Sequence, residues 1–414
     1  MELVFLGGAR EVGRLGLLVE SGNERVLLDY GIEVQDTLVP LKPKLPLNAV
    51  FLSHCHLDHS GYLPALYTMG YKGNIYATRM THELAFLLLK DSLNVQRKKD
   101  TEPLYLQSHL KEMKMKREFL EINEGIETGN FNVTFRSSGH IPGSVSITAE
   151  SEGKRLLFTG DIKFIDTKLM KGAYSDFKDI DVLVSESTYS YKNHPDREEL
   201  EKKLKEIIET TYHNGGISVL PTFAVSRTQE LLLILHETGV PVYLDGMGIE
   251  VTVKILNHPD SVRNADKLRK AFKAARKIRK NAQRYEAIKE PCAVITTAGM
   301  LNGGPVGFYM KKLHKKENCS LILTGYQVEG TVGRTLLDTG RYVAEGLDVK
   351  PRMRTEFLDF SAHTDHDHLI EFYKKTSPEK IVLMHGEHTE EFAEELKEMG
   401  FNAYAPETGE TIKV

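Results

Sequence analysis

The stretch that decides the fold is His54-Cys55-His56-Leu57-Asp58-His59, which follows directly on the apolar run Val50-Phe51-Leu52. Three imidazoles and one carboxylate therefore lie in a short segment just beyond a predicted β-strand. Imidazole nitrogen and carboxylate oxygen suit zinc, and a zinc site with one position open to water generates hydroxide near neutral pH. His54 and His56 are expected to point one way, while Asp58 and His59 face a second position. The alternative, a solvated histidine-rich turn, is disfavoured by this density of ligand-type residues.

Further ligand-type residues occupy the same kind of place, the end of an apolar run typical of a β-strand. They are Asp29 after Val26-Leu27-Leu28, His140 after Phe131-Asn132-Val133-Thr134-Phe135, Asp161 after Leu156-Leu157-Phe158-Thr159-Gly160, and His385 after Ile381-Val382-Leu383-Met384. Sheets with helical flanks carry their chemistry at the carboxyl ends of strands, so one site built from several strand ends would produce this recurrence. Histidines scattered through a core would show no such bias.

With these residues the chain resembles the metallo-β-lactamase superfamily and, within it, the β-CASP nucleases. The likeness runs from Phe5-Leu6-Gly7-Gly8-Ala9-Arg10-Glu11-Val12-Gly13 to the terminal strand. It is greatest to the nuclease subunit of the pre-mRNA cleavage and polyadenylation factor and to compact archaeal relatives. The resemblance implies an α/β fold, a metallo-β-lactamase αββα sandwich that carries an inserted β-CASP α/β domain.

The resemblance also implies a ligand set for two Zn²⁺ ions per chain. In this set His54, His56 and His140 would hold one ion. The second ion would be held by Asp58, His59 and His385, and Asp161 would bridge the two. Asp29 resembles the family's first acidic position, which orients the histidine loop without touching the metal.

Two further residues match the β-CASP pattern, Glu186 in Leu183-Val184-Ser185-Glu186-Ser187-Thr188 and His363 in Phe360-Ser361-Ala362-His363-Thr364-Asp365. The likeness implies that His363 protonates the leaving 3′-oxygen while Glu186 holds its other ring nitrogen. The alternative is that His363 is one more ligand or a structural histidine. His385 favours RNA, because the DNA-repair branch has an apolar residue at that place.

The length of 414 residues predicts two domains. Strands and helices alternate from residue 189 to residue 358, which is typical of a parallel α/β sheet. Candidate ligands lie on both sides of this segment. The expected organisation is therefore a metallo-β-lactamase domain at 1–188, an inserted β-CASP domain at 189–358, and completion of the first domain by 359–414.

Two features of the insertion are candidates for holding RNA. The segment Asp266–Glu290 is rich in Lys and Arg and predicts one basic helix with the apolar stripe Leu268, Phe272, Ala275 and Ile278. A solvated charged face is the competing interpretation. Glycine-containing loops after strands let backbone amides approach phosphate. The residues expected to bind substrate are Arg227, Gly330, Thr331 and Ser361.

The composition of the chain limits the kinds of partner that it can bind. Because 54 Lys and Arg stand against 58 Asp and Glu, any RNA contact must come from a local cationic surface rather than from bulk charge. The three cysteines show no paired spacing, and no apolar stretch approaches membrane-spanning length. The chain opens on the strand-like Leu3-Val4-Phe5-Leu6 rather than on a signal peptide, which predicts an intracellular, cytoplasmic protein that does not bind membranes.

The predicted function is hydrolysis of single-stranded RNA by two-metal hydroxide attack, giving 5′-phosphate and 3′-hydroxyl ends. Internal cleavage in RNA 3′-end processing or decay is expected, as a homodimer or together with other RNA-processing subunits. Three alternatives remain. They are a 5′-to-3′ exoribonuclease of the RNase J type, a non-catalytic scaffold subunit, and a small-molecule hydrolase of the lactamase fold.

Overall fold

The computed structural model describes residues 1–35, 37–98 and 102–414. These residues form two compact units. Unit 1 comprises residues 1–166, 172–193 and 363–414, and unit 2 comprises residues 167–171 and 194–362. Both units mix helices with sheets, which confirms the predicted α/β class. Among the described residues, no helix combines the length and apolar character needed to cross a bilayer.

The first sheet of unit 1 has seven strands in the order β22-β1-β2-β3-β4-β5-β6. Its strands are β1 (Glu2–Gly7), β2 (Gly16–Ser21), β3 (Glu24–Leu28), β4 (Ala49–Phe51), β5 (Ile75–Ala77), β6 (Arg117–Phe119) and β22 (Thr411–Lys413). The strands from β3 to β6 run parallel to one another. The segments that follow β3 and β4 therefore leave the sheet at the same edge.

The second sheet of unit 1 also has seven strands, in the order β21-β20-β11-β10-β9-β8-β7. Its strands are β7 (Gly125–Thr128), β8 (Phe131–Ser137), β9 (Val145–Ser151), β10 (Lys154–Phe158), β11 (Val182–Glu186), β20 (Lys380–Met384) and β21 (Ala403–Tyr404). Strands β10, β11 and β20 are parallel neighbours, with Phe158 opposite Val184 and Glu186 opposite Met384. These three strands consequently end at one edge.

The two sheets of unit 1 pack face to face over an apolar core in which Phe51 meets Phe135 edge-on at 6.2 Å. The helices of this unit are α1 (Leu57–Ser60), α2 (Ala65–Thr68), α3 (Arg79–Lys98), α4 (Gln107–Met115), α12 (His366–Thr376) and α13 (Thr389–Glu398). Residues of α12 and α13, such as Tyr373 and Phe392, pack on the outer face of the second sheet. Strands covered on both faces carry continuous apolar runs, as β20 does from Ile381 to Met384.

Unit 2 is built on a six-stranded, wholly parallel sheet in the order β14-β13-β15-β12-β16-β19. Its strands are β12 (Ile217–Pro221), β13 (Val242–Asp245), β14 (Arg276–Ile278), β15 (Cys292–Thr296), β16 (Ser320–Leu323) and β19 (Arg354–Phe357), with the separate hairpin β17 (Tyr342–Ala344) and β18 (Leu347–Val349). Its helices are α5 (Arg197–His213), α6 (Arg227–His236), α7 (Gly248–Asn257), α8 (Ala265–Ala274), α9 (Asn281–Ala287), α10 (Val306–Leu313) and α11 (Val332–Thr339), with a 3₁₀ turn at Pro259–Ser261. The parallel sheet predicted from the alternating pattern is confirmed.

The prediction of one basic helix over 266–290 is wrong. Helix α8 ends at Ala274, Ala275 is extended, and β14 adds to the sheet with Ile278 opposite Asp245 before α9 begins. The apolar spacing fits a helix, but the open edge of β13 offers hydrogen bonds to an extended chain, and Ile278 is buried there. The lysines and arginines are therefore divided mainly among two helices, an edge strand and the short connection at residues 279–280.

The chain passes from unit 1 to unit 2 between residues 193 and 194 and returns to unit 1 between residues 362 and 363. Both positions lie a few residues beyond the expected boundaries of 188/189 and 358/359. Unit 2 also takes in residues 167–171, which the sequence did not indicate. The physical reason is Glu230 on α6, whose buried carboxylate accepts the backbone N–H of Lys168 at 3.1 Å and of Leu169 at 2.7 Å. The same carboxylate accepts a bond of 2.5 Å from the guanidinium of Arg197.

Replacing Glu230 by Ala should destabilise unit 2 by about 3–5 kcal/mol, because it leaves the largely buried guanidinium of Arg197 and two backbone donors without this buried carboxylate. Glu237→Ala is the matched control. Its carboxylate, 44% exposed, also pairs with Lys168, and removal should cost at most about 1 kcal/mol. Urea unfolding, monitored by amide hydrogen exchange within unit 2, measures the loss of unfolding free energy in both variants. Equal losses in the two variants would contradict this role of Glu230.

Candidate metal centre

The histidine loop is fixed by a carboxylate beneath it. Asp29, fully buried and directly after β3, accepts the N–H of Ser53 at 2.7 Å and its hydroxyl at 2.6 Å. Its Oδ2 also lies 2.7 Å from Nδ1 of His59. Because Nδ1 is engaged in this way, Nε2 of His59 is left facing the centre. Asp29 thus lies where an orienting carboxylate is expected.

The chain after β3 packs directly under the loop at Gly31. A Cβ atom at this position would lie 1.7 Å from the carbonyl oxygen of Asp58, so no larger residue fits without moving the backbone. The neighbouring Tyr30 donates its N–H to the carbonyl of His59 at 2.7 Å. The absence of a side chain at Gly31 therefore helps to set the height of α1 above the sheet.

The first group of candidate ligands consists of His54, His56, His140 and Asp161. One nitrogen or oxygen from each lies within 4.8 Å of all the others. Oδ2 of Asp161 is 3.3 Å from Nε2 of His54 and 3.4 Å from Nε2 of His140. These side chains come from the ends of β4, β8 and β10, so three strand ends supply one cluster.

The second group consists of Asp58, His59 and His385, again within 4.8 Å of one another. The other oxygen of Asp161, Oδ1, faces this group at 3.2 Å from Nε2 of His59 and 3.5 Å from Nε2 of His385. Asp161 therefore presents one oxygen to each group, which is the geometry of a bridging carboxylate.

Several ligand-type atoms of this centre are buried without a hydrogen bond to any residue that the structure describes. They are Nε2 of His54, His56 and His59 and Oδ1 of Asp161. A buried polar atom left in this state costs about 1–3 kcal/mol, so a cluster of them calls for another partner. Imidazole and carboxylate donors together fit zinc or a similar transition metal rather than Mg²⁺, which prefers an all-oxygen shell.

Protonation in the metal-free protein suits metal binding. Burial lowers the pKa of His56 to about 3 and that of His140 well below its usual range, so both are neutral and offer a lone pair. Burial also opposes a charge on His59, but Asp161 and Asp29 outweigh it and raise the pKa of that imidazole well above normal. The surrounding imidazoles hold the pKa of Asp161 well below normal against the effect of burial. Cation binding would displace the proton from His59.

His363 and Glu186 form a hydrogen-bonded pair beside the centre. Oε2 of Glu186, the last residue of β11, is 2.8 Å from Nδ1 of His363, while Nε2 of His363 lies 3.9 Å from Oδ2 of Asp161. Burial would lower the pKa of His363, but the carboxylates of Glu186 and Asp161 raise it to about 9. The two carboxylates therefore favour the protonated form of His363, which is held at the margin of the ligand cluster.

Two contributors were not identified from the sequence. The hydroxyl of Ser53 lies 3.0 Å from Nδ1 of His54 and so extends the network of Asp29 to a second imidazole. Lys163, almost fully buried, donates from Nζ to the carbonyl oxygen of His363 at 2.8 Å. Ser53 could have been found from its place directly before His54. Nothing in the local sequence indicates that Lys163 contacts His363.

The four residues expected to bind substrate all belong to unit 2. Arg227 is buried at the start of α6, and Ser361 is buried close to the end of the unit. Gly330 has a left-handed φ of 78°, and the following Thr331 caps α11 by accepting the N–H of Arg334 at 3.2 Å. The Thr331 hydroxyl also donates to Val328 O at 2.6 Å. That hydroxyl is thus already engaged, and substrate contact by all four residues stays a prediction.

Three family models match the chain. The metallo-β-lactamase superfamily matches residues 11–193, the Beta-Casp domain matches residues 228–336, and the Zn-dependent metallo-hydrolase RNA specificity domain matches residues 348–406. The last of these contains both His363 and His385. The Beta-Casp match lies within unit 2, and the RNA specificity match begins in unit 2 and continues into unit 1, as expected where an inserted segment ends.

Similar proteins span the whole chain. A probable RNase, MJ4, of Methanocaldococcus jannaschii is 37% identical, with full coverage of both chains. RNase aCSPSF2 of Saccharolobus solfataricus is 34% identical over all of this chain and 85% of its own length. Transcription termination factor FttA of M. jannaschii is 34% identical over 99% of this chain and 71% of its own length.

A crystal structure of a protein of unknown function from Enterococcus faecalis has the same fold, with a TM-score of 0.63, 16% identity and 99% coverage of both chains. The family inferred from the histidine loop and the strand-end ligands is confirmed by the family models and by the identity to full-length relatives. The chain belongs to the metallo-β-lactamase superfamily and, within it, to the β-CASP branch.

Proposed function

We propose that this chain is a zinc-dependent ribonuclease that hydrolyses phosphodiester bonds of single-stranded RNA and leaves 5′-phosphate and 3′-hydroxyl ends. The observation that carries the proposal is the position of Asp161, whose two oxygens face two separate ligand groups in one buried centre. The RNA specificity match and the relatives named as RNases support RNA as the substrate.

Two zinc ions, when bound, would supply a hydroxide nucleophile and neutralise charge on the phosphate. His54, His56 and His140 would hold one ion. The second would be held by Asp58, His59 and His385, with Asp161 shared. Asp29 would not contact the ions itself. Its hydrogen bonds to Ser53 and His59 hold the histidine loop in the geometry that the ions require. A centre organised in this way needs little rearrangement on binding.

His363 is the group that would protonate the leaving 3′-oxygen. Its Nδ1 is held by Glu186, so Nε2 is the nitrogen that faces the centre. The Glu186 carboxylate raises the pKa of His363 against the effect of burial, which favours the imidazolium that a general acid requires. Glu186 is itself fixed, because its Oε1 accepts the N–H of Ile162 at 2.6 Å.

Internal cleavage, in RNA 3′-end formation or decay, is the mode that we propose first. A relative named as a transcription termination factor suits a protein that acts at RNA 3′ ends. The second candidate is 5′-to-3′ exonucleolytic decay, since an RNase J-like protein of M. jannaschii is 36% identical over 93% of this chain. Both modes use the same centre and differ in how the RNA end is held.

Asp161→Ala should lower the zinc content of both groups, because each group loses an oxygen of the shared carboxylate. Elemental analysis of the purified variant should therefore find well under the wild-type zinc, which is expected to reach two ions per chain. Asp181→Ala is the control, since this carboxylate pairs with Lys154 outside the centre. Full zinc content together with full activity in Asp161→Ala would rule out the bridging assignment.

His363→Ala should keep its zinc and bind RNA, while the chemical step slows by about 10²–10⁴, as expected for loss of a positioned acid. An RNA with sulfur in place of the scissile 3′-bridging oxygen needs little proton help and should restore much of the rate, with a thiophilic metal as control. Loss of zinc, or no preferential rescue by the sulfur substrate, would instead make His363 a ligand or a structural residue.

Glu186→Gln tests the same acid through pH. A raised pKa means that the acid is active below that value and is lost as pH rises through it. Removing the Glu186 charge lowers the pKa of His363, so the alkaline fall in kcat should begin at lower pH than in the wild type. If kcat falls at the same alkaline pH in Glu186→Gln as in the wild type, Glu186 does not raise the pKa of the catalytic acid.

RNA should be cut far faster than single-stranded DNA of the same sequence. A 5′-labelled RNA and an internally labelled RNA, each with a 5′-monophosphate or a 5′-triphosphate, separate the two modes. Internal fragments from either end state indicate an endonuclease, whereas mononucleotides released only from monophosphorylated RNA indicate an exonuclease. Asp161→Ala, purified in parallel, measures any contaminating nuclease. Equal rates on RNA and DNA would defeat the RNA assignment.

A further inference from the structure

An aromatic and cationic cluster lies directly beyond β11 in unit 1. The rings of Tyr189 and Tyr191 are nearly parallel, at 10° between planes and 6.2 Å between centroids. The imidazole of His388 lies 4.7 Å from the Tyr191 ring. The ammonium of Lys192 is 5.0 Å from the centroid of Tyr189 and 5.6 Å from that of Tyr191. None of these residues belongs to the metal centre or to its hydrogen-bond network described above.

Tyr191 is exposed although it is held in a defined position. Its side chain is 46% exposed, whereas the ring of Tyr189 on which it stacks is fully buried. Burial of apolar surface is the usual reason for a tyrosine to be ordered, and here nearly half of that surface remains in water. The arrangement is a buried ring that supports an exposed one, with the ammonium of Lys192 over both rings.

The cluster is attached to the proposed catalytic residues on both sides. Tyr189 follows Glu186 in the chain, and its ring lies 6.2 Å from the imidazole of His363. His388 follows His385 in the same way. The two segments are joined where the hydroxyl of Thr188 donates to the carbonyl of His385 at 3.0 Å. The exposed ring is therefore positioned by the same backbone that positions Glu186, the partner of the candidate acid, and one candidate ligand.

We propose that Tyr191, with Lys192 and His388, forms a nucleobase-stacking subsite for the nucleotide that carries the leaving 3′-oxygen. This inference rests on the proposed function, because it takes His363 as the group that meets the leaving oxygen. Every base has a π-face, so a stacking ring with a nearby cation holds RNA without reading its sequence. The ammonium of Lys192, which lies over both tyrosine rings, is the cation of this subsite, and His388 packs beside the exposed ring.

A substrate with one base removed tests the subsite. In the wild type, an abasic nucleotide directly upstream of the scissile bond should lower kcat/KM by roughly tenfold, within the range for loss of one stacked base. Tyr191→Ala should lower kcat/KM by a similar factor on intact RNA and should show no further loss on the abasic RNA. Tyr191→Phe keeps the ring and should behave as the wild type.

Tyr174→Ala is the matched control. This tyrosine of unit 1 is 39% exposed and packs against Phe177 and Arg136 rather than against any site residue. It should retain both the wild-type rate and the wild-type sensitivity to the abasic nucleotide. Undiminished sensitivity to the abasic nucleotide in Tyr191→Ala would overturn the proposal, whatever the rate on intact RNA.

A binding experiment separates this proposal from the proposed function. RNAs with the fluorescent base 2-aminopurine at one position at a time are bound to His363→Ala protein, in which turnover is slow. Stacking on Tyr191 should quench one position, and the quench should disappear in the double variant His363→Ala/Tyr191→Ala. If the wild type cuts no RNA, the proposed function fails while this signal still reports on the subsite. A quench that survives loss of Tyr191 would overturn the subsite alone.

Discussion

The structure of the centre depends on one buried carboxylate, that of Asp161. A single charge in a dry interior is costly unless several groups of opposite polarity surround it, and here four imidazoles approach its two oxygens at 3.2–3.5 Å. Three of these imidazoles, His54, His59 and His385, each keep a buried nitrogen with no hydrogen bond to any residue that the structure describes. The cluster is therefore balanced for a cation that the polypeptide does not itself provide.

Sheet register explains how so many polar groups reach one place. Parallel neighbours end at the same edge, and the pairings of β10 with β11 and of β11 with β20 deliver Asp161, Glu186 and His385 side by side. In the facing sheet, β3 and β4 are likewise parallel and deliver Asp29 and the histidine loop. The sandwich core between the sheets is apolar, so the polar groups collect at its rim.

The candidate acid and the candidate metal ligands share a short piece of backbone. After Asp161, the N–H of Ile162 bonds to Glu186, and Lys163 bonds to the carbonyl of His363. Thr364, next to the acid, donates its N–H back to Ile162 at 2.7 Å. Movement of either group would strain the other, so the proposed acid and the Asp161 carboxylate keep a fixed separation. Catalytic groups at a fixed separation stabilise the transition state more than they stabilise the other conformations of a flexible substrate.

The α/β class and the ligand-type residues at strand ends could be predicted from the sequence because each is a local pattern, and because parallel strands bring such patterns to a common edge. The family was predicted from the motifs that these residues form, and the pairing of Glu186 with His363 was predicted from the resemblance to that family. Tertiary structure alone decided that residues 276–278 form an edge strand rather than helix, since the open edge of β13 is invisible along the chain. It also decided that residues 167–171 join unit 2, and that Lys163 holds His363. The cluster around Tyr191 likewise exists only in the folded chain, where Thr188 and His385 meet across 197 positions. Contacts between distant segments depend on which surfaces remain unsatisfied after the sheets form, and no local pattern records that.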